Sequence, residues 1–159
     1  MKKTIIGVMG GGDQAPPDAI QEAYRLGELI AEQGWVLLNG GRNVGVMDAS
    51  AAGASQKGGL VIGILPDRDL QRASTHLAIP ILTGMGDARN VINVLSSDVV
   101  IACAGGAGTV SEIALALKNN RPVILLNMDV GDLFSDSQLY RASTPEEAIH
   151  LVIQLLNQP

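Results

Sequence analysis

Along the chain, short runs that are apolar at nearly every position alternate with longer stretches that are apolar every third or fourth position. Residues 4–9 form the first apolar run and break into Gly10, Gly11 and Gly12, the pattern of a strand buried on both faces. Pro16 and Pro17 then open a segment with Ala19, Ile20, Ala23, Tyr24, Leu26, Gly27, Ile30 and Ala31 at helical spacing, and Gly34 closes it. A second strand is predicted over 35–38, followed by a helix of small residues from about Gly45 to Gln56 and a third strand over 60–65. Residues 67–78 have no period and read as an exposed loop, and 79–82 as a short strand or an extended link. Helices over 87–95 and 108–118 alternate with strands over 98–102 and 122–126. Residues 127–143 read as irregular. Thr144, Pro145, Glu146 and Glu147 then cap a last helix whose Ile149, Val152, Ile153 and Leu156 point inward.

Wholly apolar strands separated by helices predict an α/β fold: a single doubly wound, Rossmann-like domain over 1–159, its sheet mostly parallel, with helices on both faces. In such sheets ligands bind beyond the carboxyl ends of the strands, where the strand order reverses. Composition sharpens this. Apolar residues are 47% of the chain but aromatics only 3%, so the core must be aliphatic. Charged residues are 17%, against ~25% in average soluble proteins. Some apolar surface is therefore expected to be covered by another copy of the chain, a homo-oligomer.

Sixteen acids against eleven bases give a net charge of −5, and apart from Lys2 and Lys3 the bases are scattered, so no basic stripe offers a general grip on nucleic acid. Cys103 alone excludes a disulfide framework, and with two histidines, His76 and His150, no metal cluster is expected. No stretch reaches the ~18 apolar residues of a membrane span. The basic start and short apolar run imitate a signal peptide only faintly, so the expected location is cytoplasmic.

Glycines 10, 11, 12, 40, 41, 45, 105, 106 and 108 are nine of the nineteen, and all follow predicted strands at the ligand-binding end. Two of the loops run straight into helices, at Gly45 and Gly108, where unpaired N–H groups and the positive end of the helix dipole suit an anion. Arg42 lies in the second loop and Arg89 near a helix start, each able to fork a phosphate or to form a surface ion pair, for Arg89 with Asp87 or Asp98. Thr109 to Glu112 fits a capping box and equally a carboxylate at the mouth of a glycine loop. Cys103 reads as a small core residue, His76 as a loop residue and His150 as a helix-surface one. Met9, Met47 and Met85 flank glycine loops as pocket walls or core filling.

Three segments then occur in order: Gly40-Gly41-Arg42-Asn43-Val44-Gly45-Val46-Met47, Gly59-Leu60-Val61-Ile62-Gly63-Ile64-Leu65-Pro66, and Gly105-Gly106-Ala107-Gly108-Thr109-Val110-Ser111-Glu112. Together they resemble the lysine-decarboxylase-like, or LOG-type, Rossmann superfamily over nearly the whole chain. Within it, residues 34–42 and Gly84-Met85-Gly86-Asp87-Ala88-Arg89-Asn90 most resemble the molybdenum cofactor carrier proteins. That resemblance implies a homotetramer holding the molybdenum cofactor (Mo-molybdopterin) as a phosphate-bearing ligand and passing it to molybdoenzymes. It implies cofactor contacts from the nine glycines, Arg42, Val46, Met47, Arg89, Asn90, Ala107, Thr109 and Glu112. The superfamily's enzymes are nucleoside 5′-monophosphate phosphoribohydrolases with the signature Pro-Gly-Gly-x-Gly-Thr-x-x-Glu after an Arg-Lys pair. This chain has Ala104 in place of the proline and Asn90 in place of the lysine, while Glu112 and Arg89 are retained. The alternative function is that hydrolysis, with Glu112 and Arg89 catalytic. A nucleotide-sensing module without turnover is a third reading. No residue pattern marks a slot for the pterin.

Overall fold

The alternation folds into one seven-stranded sheet in which every neighbouring pair runs parallel. In this computed structural model, which describes residues 1–137 and 139–159, the strands are β1 (Ile5–Met9), β2 (Val36–Asn39), β3 (Val61–Leu65), β4 (Ile79–Leu82), β5 (Val99–Ala102), β6 (Val123–Leu126) and β7 (Leu139–Ala142). Their order is β4-β3-β2-β1-β5-β6-β7. Ile6 pairs with Leu37 on one side and Val99 on the other, so the direction of winding reverses between β1 and β5. The loops that follow those two strands are therefore neighbours.

The helices are α1 (Pro17–Glu32), α2 (Gly45–Gln56), α3 (Asn90–Leu95), α4 (Ala107–Lys118) and α5 (Pro145–Leu156). Alternate strand residues serve opposite layers. Ile6, Val8, Leu37 and Ile101 pack with the inward faces of α1, α2 and α5, whereas Met9, Leu38, Val100 and Leu125 pack with α3 and α4. The doubly wound expectation holds, and the core is aliphatic throughout. Trp35, the single tryptophan, precedes β2 at the edge of the sheet opposite the glycine loops, half-buried against the α1–α2–α5 layer. No helix of the described residues is long and apolar enough to cross a membrane.

Two elements differ from expectation. Residues 127–143, read as irregular, contain β7, an edge strand of four residues whose Arg141 points outward to Asp136 at 3.2 Å. The single helix expected over 87–95 is a 3₁₀ turn (Gly86–Arg89) followed by α3, because Arg89 is drawn inward to bond Ile64 O. The small residues of α2 are spent inside the chain: Ala49, Ser50, Ala51, Gly53 and Ala54 are buried, most of them in the core with α1. A Cβ on Gly27 would lie 2.1 Å from Ser50 O, and one on Gly53 would lie 2.0 Å from Tyr24 O, so the two helices cross backbone to backbone.

Candidate functional site

At the switch point, the loop after β1 is tied to the loop after β5 by Gly11 N–H donating to Ala104 O at 2.9 Å, and Cys103 N–H donates to Met9 O at 2.8 Å. The loop after β2 joins them through α2, whose Val46 N–H donates to Gly11 O at 3.0 Å. Between these loops lies a cleft of about 210 Å³, lined by Gly10, Gly11, Gly12, Gly40, Arg42, Met47, Arg89, Asn90, Gly106, Gly108, Thr109 and Glu112, with Val8, Met9 and Asp87. The three glycine loops thus converge.

The remaining candidates stand behind the wall rather than on it. Gly41, with φ +80°, packs under Leu65, and Gly45, with φ +54°, sits so close to loop one that a Cβ would lie 2.2 Å from Gly11 O. Val46 is fully buried against Gly10. A Cβ on Gly105 would meet Thr109 Oγ1 at 2.2 Å. Ala107 opens α4 outside the lining. Met9 and Met47 line the cleft, whereas Met85 is 47% exposed. Cys103 is wholly buried, which pushes its thiol up to about 12, and His76 and His150 are exposed on a loop and a helix.

One wall of the cleft is the start of α4. Its N-cap is Gly106, no side chain caps it, and the first helical N–H with a backbone partner is that of Val110, bonded to Gly106 O at 3.0 Å. The amides of residues 107–109 therefore have no acceptor within the described chain. This corrects the capping-box reading. Thr109 lies inside the helix and is buried, and Glu112 does not reach back to it. Thr109 and Glu112 face the cleft instead.

The two arginines differ sharply. Arg89 is 8% exposed; its Nε donates to Ile64 O at 2.9 Å, Nη2 to Gly40 O at 3.4 Å and Nη1 to Asn90 Oδ1. Burial holds its pKa below the usual value, opposed by the Glu112 carboxylate. The surface ion pair considered for it does not form, since Asp98 pairs with Lys2. Asn90 hands the connection on, donating to Ser111 Oγ at 3.1 Å, and Ser111 donates to Gly108 O at 2.6 Å. A strap of side chains therefore joins β3 and the Gly40 loop to the first turn of α4. Arg42 is only half-buried, yet its Nε is buried without any partner. The loop that carries it is pinned by Asn43 N–H to Arg72 O at 2.9 Å and by Ser74 N–H to Gly41 O at 2.8 Å.

Glu112 is 8% exposed, and its Oε2 accepts from Asn93 Nδ2 at 2.9 Å. Burial raises its pKa to about 7, with the Asn93 hydrogen bond and the Arg89 charge opposing. Sequence reasoning missed Asn93, and also Asn39, which is fully buried and braces the second loop through Gly41 N–H and Met47 O. It missed Val8 and Asp87 as cleft residues too. An apolar position five residues into a run and an acid two residues before an arginine carry no separate signal.

A family model, the SLOG cluster4 family, matches residues 3–154. The molybdenum cofactor binding protein from the phototrophic bacterium Rippkaea orientalis is 54% identical, each chain covered to 99%, with a TM-score of 0.94. The molybdenum cofactor carrier protein from Chlamydomonas reinhardtii is 41% identical over 99% of this chain and 100% of its own, with a TM-score of 0.93. A cytokinin riboside 5′-monophosphate phosphoribohydrolase from Mycobacterium tuberculosis is 34% identical over 60% of this chain, and the match spans about half of that enzyme, 52%.

Proposed function

The chain belongs to the SLOG cluster4 family, within the LOG-like Rossmann superfamily, and from that premise we propose that its cleft binds molybdenum cofactor by the phosphate end, in a carrier and protecting role. The observation that carries this reading is the cradle itself: the unpaired amides at the start of α4 and the side chain of Arg42, which has an unpartnered Nε, line one cleft. Helix N-terminus and guanidinium together suit a phosphate dianion. The cofactor brings its metal on its own dithiolene sulfurs, so the chain need not supply Cys or His. At about 210 Å³ the cleft suits a phosphate and its ester neighbour, while sites for whole drug-sized ligands run from ~300 Å³ upward. The pterin then lies across the mouth, sheltered by the surrounding loops or by a second copy of the chain.

Purified protein should slow the oxidative loss of added cofactor at near-stoichiometric amounts, and equal decay with and without it would defeat the proposal. Gly106→Val separates site from scaffold. A Cβ there meets nothing within 4 Å, so the side chain enters the cleft without striking the protein. The variant should keep its melting temperature and lose cofactor protection.

One observation favours hydrolysis as a second reading: Glu112 is buried in the cleft with a pKa near neutrality, as a general acid requires. Asn90 weakens it, because the residue at the enzymes' lysine position is neutral and already engaged with Arg89 and Ser111. Release of adenine from AMP, abolished by Glu112→Ala, would establish the enzyme over the carrier.

A further inference from the structure

Asn93 is a fully buried residue of α3 whose side chain is satisfied at one end only. Its Nδ2 donates to Glu112 at 2.9 Å, while its Oδ1 has no partner. Of the other buried residues of this helix pair, Asn90 and Thr109 lie at the cleft, and Val94, Ile113 and Ala116 are apolar core. An orphaned amide oxygen in such surroundings costs stability that an aliphatic side chain of the same size would not. Asn39, equally buried, shows the usual arrangement: it donates to Met47 O and Ser50 Oγ and accepts from Gly41 N–H. A buried polar group left half-paired marks a demand other than stability.

That demand is visible across the helix pair. Asn93 is the one side chain among the described residues that donates to Glu112, and Glu112 Oε1 takes no hydrogen bond from the protein. We infer that Asn93 is a positioning residue, fixing one oxygen of Glu112, leaving the other for the cleft, and thereby setting the charge that the cleft presents to an anionic ligand. The inference rests on the reading of the cleft as an anion site, although its first test does not. The charged group that acts on Glu112 is Arg89, from the turn before α3, and Arg42 and Asp87 line the same cleft. Of the groups opposing the effect of burial, Asn93 acts most strongly and Arg89 next. Without the amide donor, the neutral acid is favoured further and the carboxyl loses its orientation.

The Glu112 carboxyl carbon can be followed by NMR titration in carbon-13-labelled protein. Asn93→Leu, which fills the space, and Asn93→Ala, which adds no bulk, should each move the Glu112 midpoint up by a pH unit or more. A midpoint unmoved in either folded variant overturns the proposal. The second measurement uses sulfate, whose charge is constant between pH 5.5 and 8.5. The native protein should bind it severalfold more tightly at the lower pH, and Asn93→Leu should flatten that dependence at neutral pH. An equal loss of sulfate affinity at every pH, with the midpoint unmoved, assigns Asn93 a structural role only. A shifted midpoint in a protein that binds no sulfate would support the positioning of Glu112 and defeat the anion reading of the cleft.

Discussion

Two arginines reach the cleft, and burial divides their work. Arg89 has three donors committed to protein acceptors, so its replacement by alanine strips partners from Ile64 O and Gly40 O as well as the cleft wall. Arg89→Ala should lower stability by roughly 2–4 kcal/mol, which makes it a poor probe of binding. Arg42 is the cleaner probe, since its Nε has nothing to lose inside the protein. Arg42→Ala should weaken a phosphate-bearing ligand roughly tenfold to a hundredfold with little change in melting temperature, and undiminished affinity in a titration would remove it from the site. Glu112 gives a pH signature. Its carboxyl has a pKa of about 7 in the folded chain, above its unfolded value, so folding takes up a proton between those limits. Stability therefore falls as pH rises from the carboxylate range to neutrality, by roughly 3–4 kcal/mol at most from this one group, and is level above it. Glu112→Gln should be the more stable protein at pH 8 and nearly equal to the native one at pH 5, as thermal unfolding at both pH values would show. The residues Arg42, Arg89 and Glu112 were legible as chemistry in the sequence, but their roles were not. Thr109 and Glu112 have the spacing of a capping box whether or not the helix begins there, and only the folded chain puts its N-cap at Gly106. Asn93 was silent, because an asparagine beside valine in a short helix reads as a solvent-facing residue.

Between elements, the closest approach is α1 on α2. With Gly27 against the Ser50 carbonyl and Gly53 against the Tyr24 carbonyl, neither position has room for a methyl group. Gly53→Ala must therefore push the helices apart, despite alanine's better helix propensity, and should cost about 1–3 kcal/mol or more in urea unfolding. A neutral or stabilising outcome would mean that the helices are not in backbone contact. The small residues of α2 serve this contact, since Ala49, Ala51 and Ala54 lie in the core that α1 covers. Most elements were legible because the whole apolar runs and the glycine breaks coincide, and α2 has the bounds expected for it. β7 was not, because an edge strand needs only one apolar face and four residues, and its Leu139-Tyr140-Arg141-Ala142 has too little alternation to stand out of a polar segment. The turn before α3 was not, because the pull of Ile64 O on Arg89 is a tertiary effect with no local trace.

For the whole molecule, the low charge leaves an apolar strip along the β4 edge, where Leu70, Ile79, Ile81, Leu82 and Met85 are each at least 42% exposed. We expect this strip to be covered by another copy of the chain. Light scattering at micromolar concentration should give a mass well above 16.5 kDa, and Ile81→Glu should reduce it without unfolding the chain. A native monomer would refute the assembly, and an unchanged Ile81→Glu oligomer would place the contact elsewhere. The parallel sheet also keeps the two ends of the molecule apart, with the cleft at the carboxyl ends of the strands and Trp35 before the amino end of β2. The intervening strand spans roughly 13 Å by its rise per residue. Emission from that indole therefore reports the packing of the α1–α2–α5 layer, without contact with the glycine loops. A pterin absorbs at longer wavelength than any side chain of this protein, where the indole emits, so cofactor taken up as proposed should quench Trp35 by energy transfer across the sheet, and Gly106→Val should leave that emission unquenched.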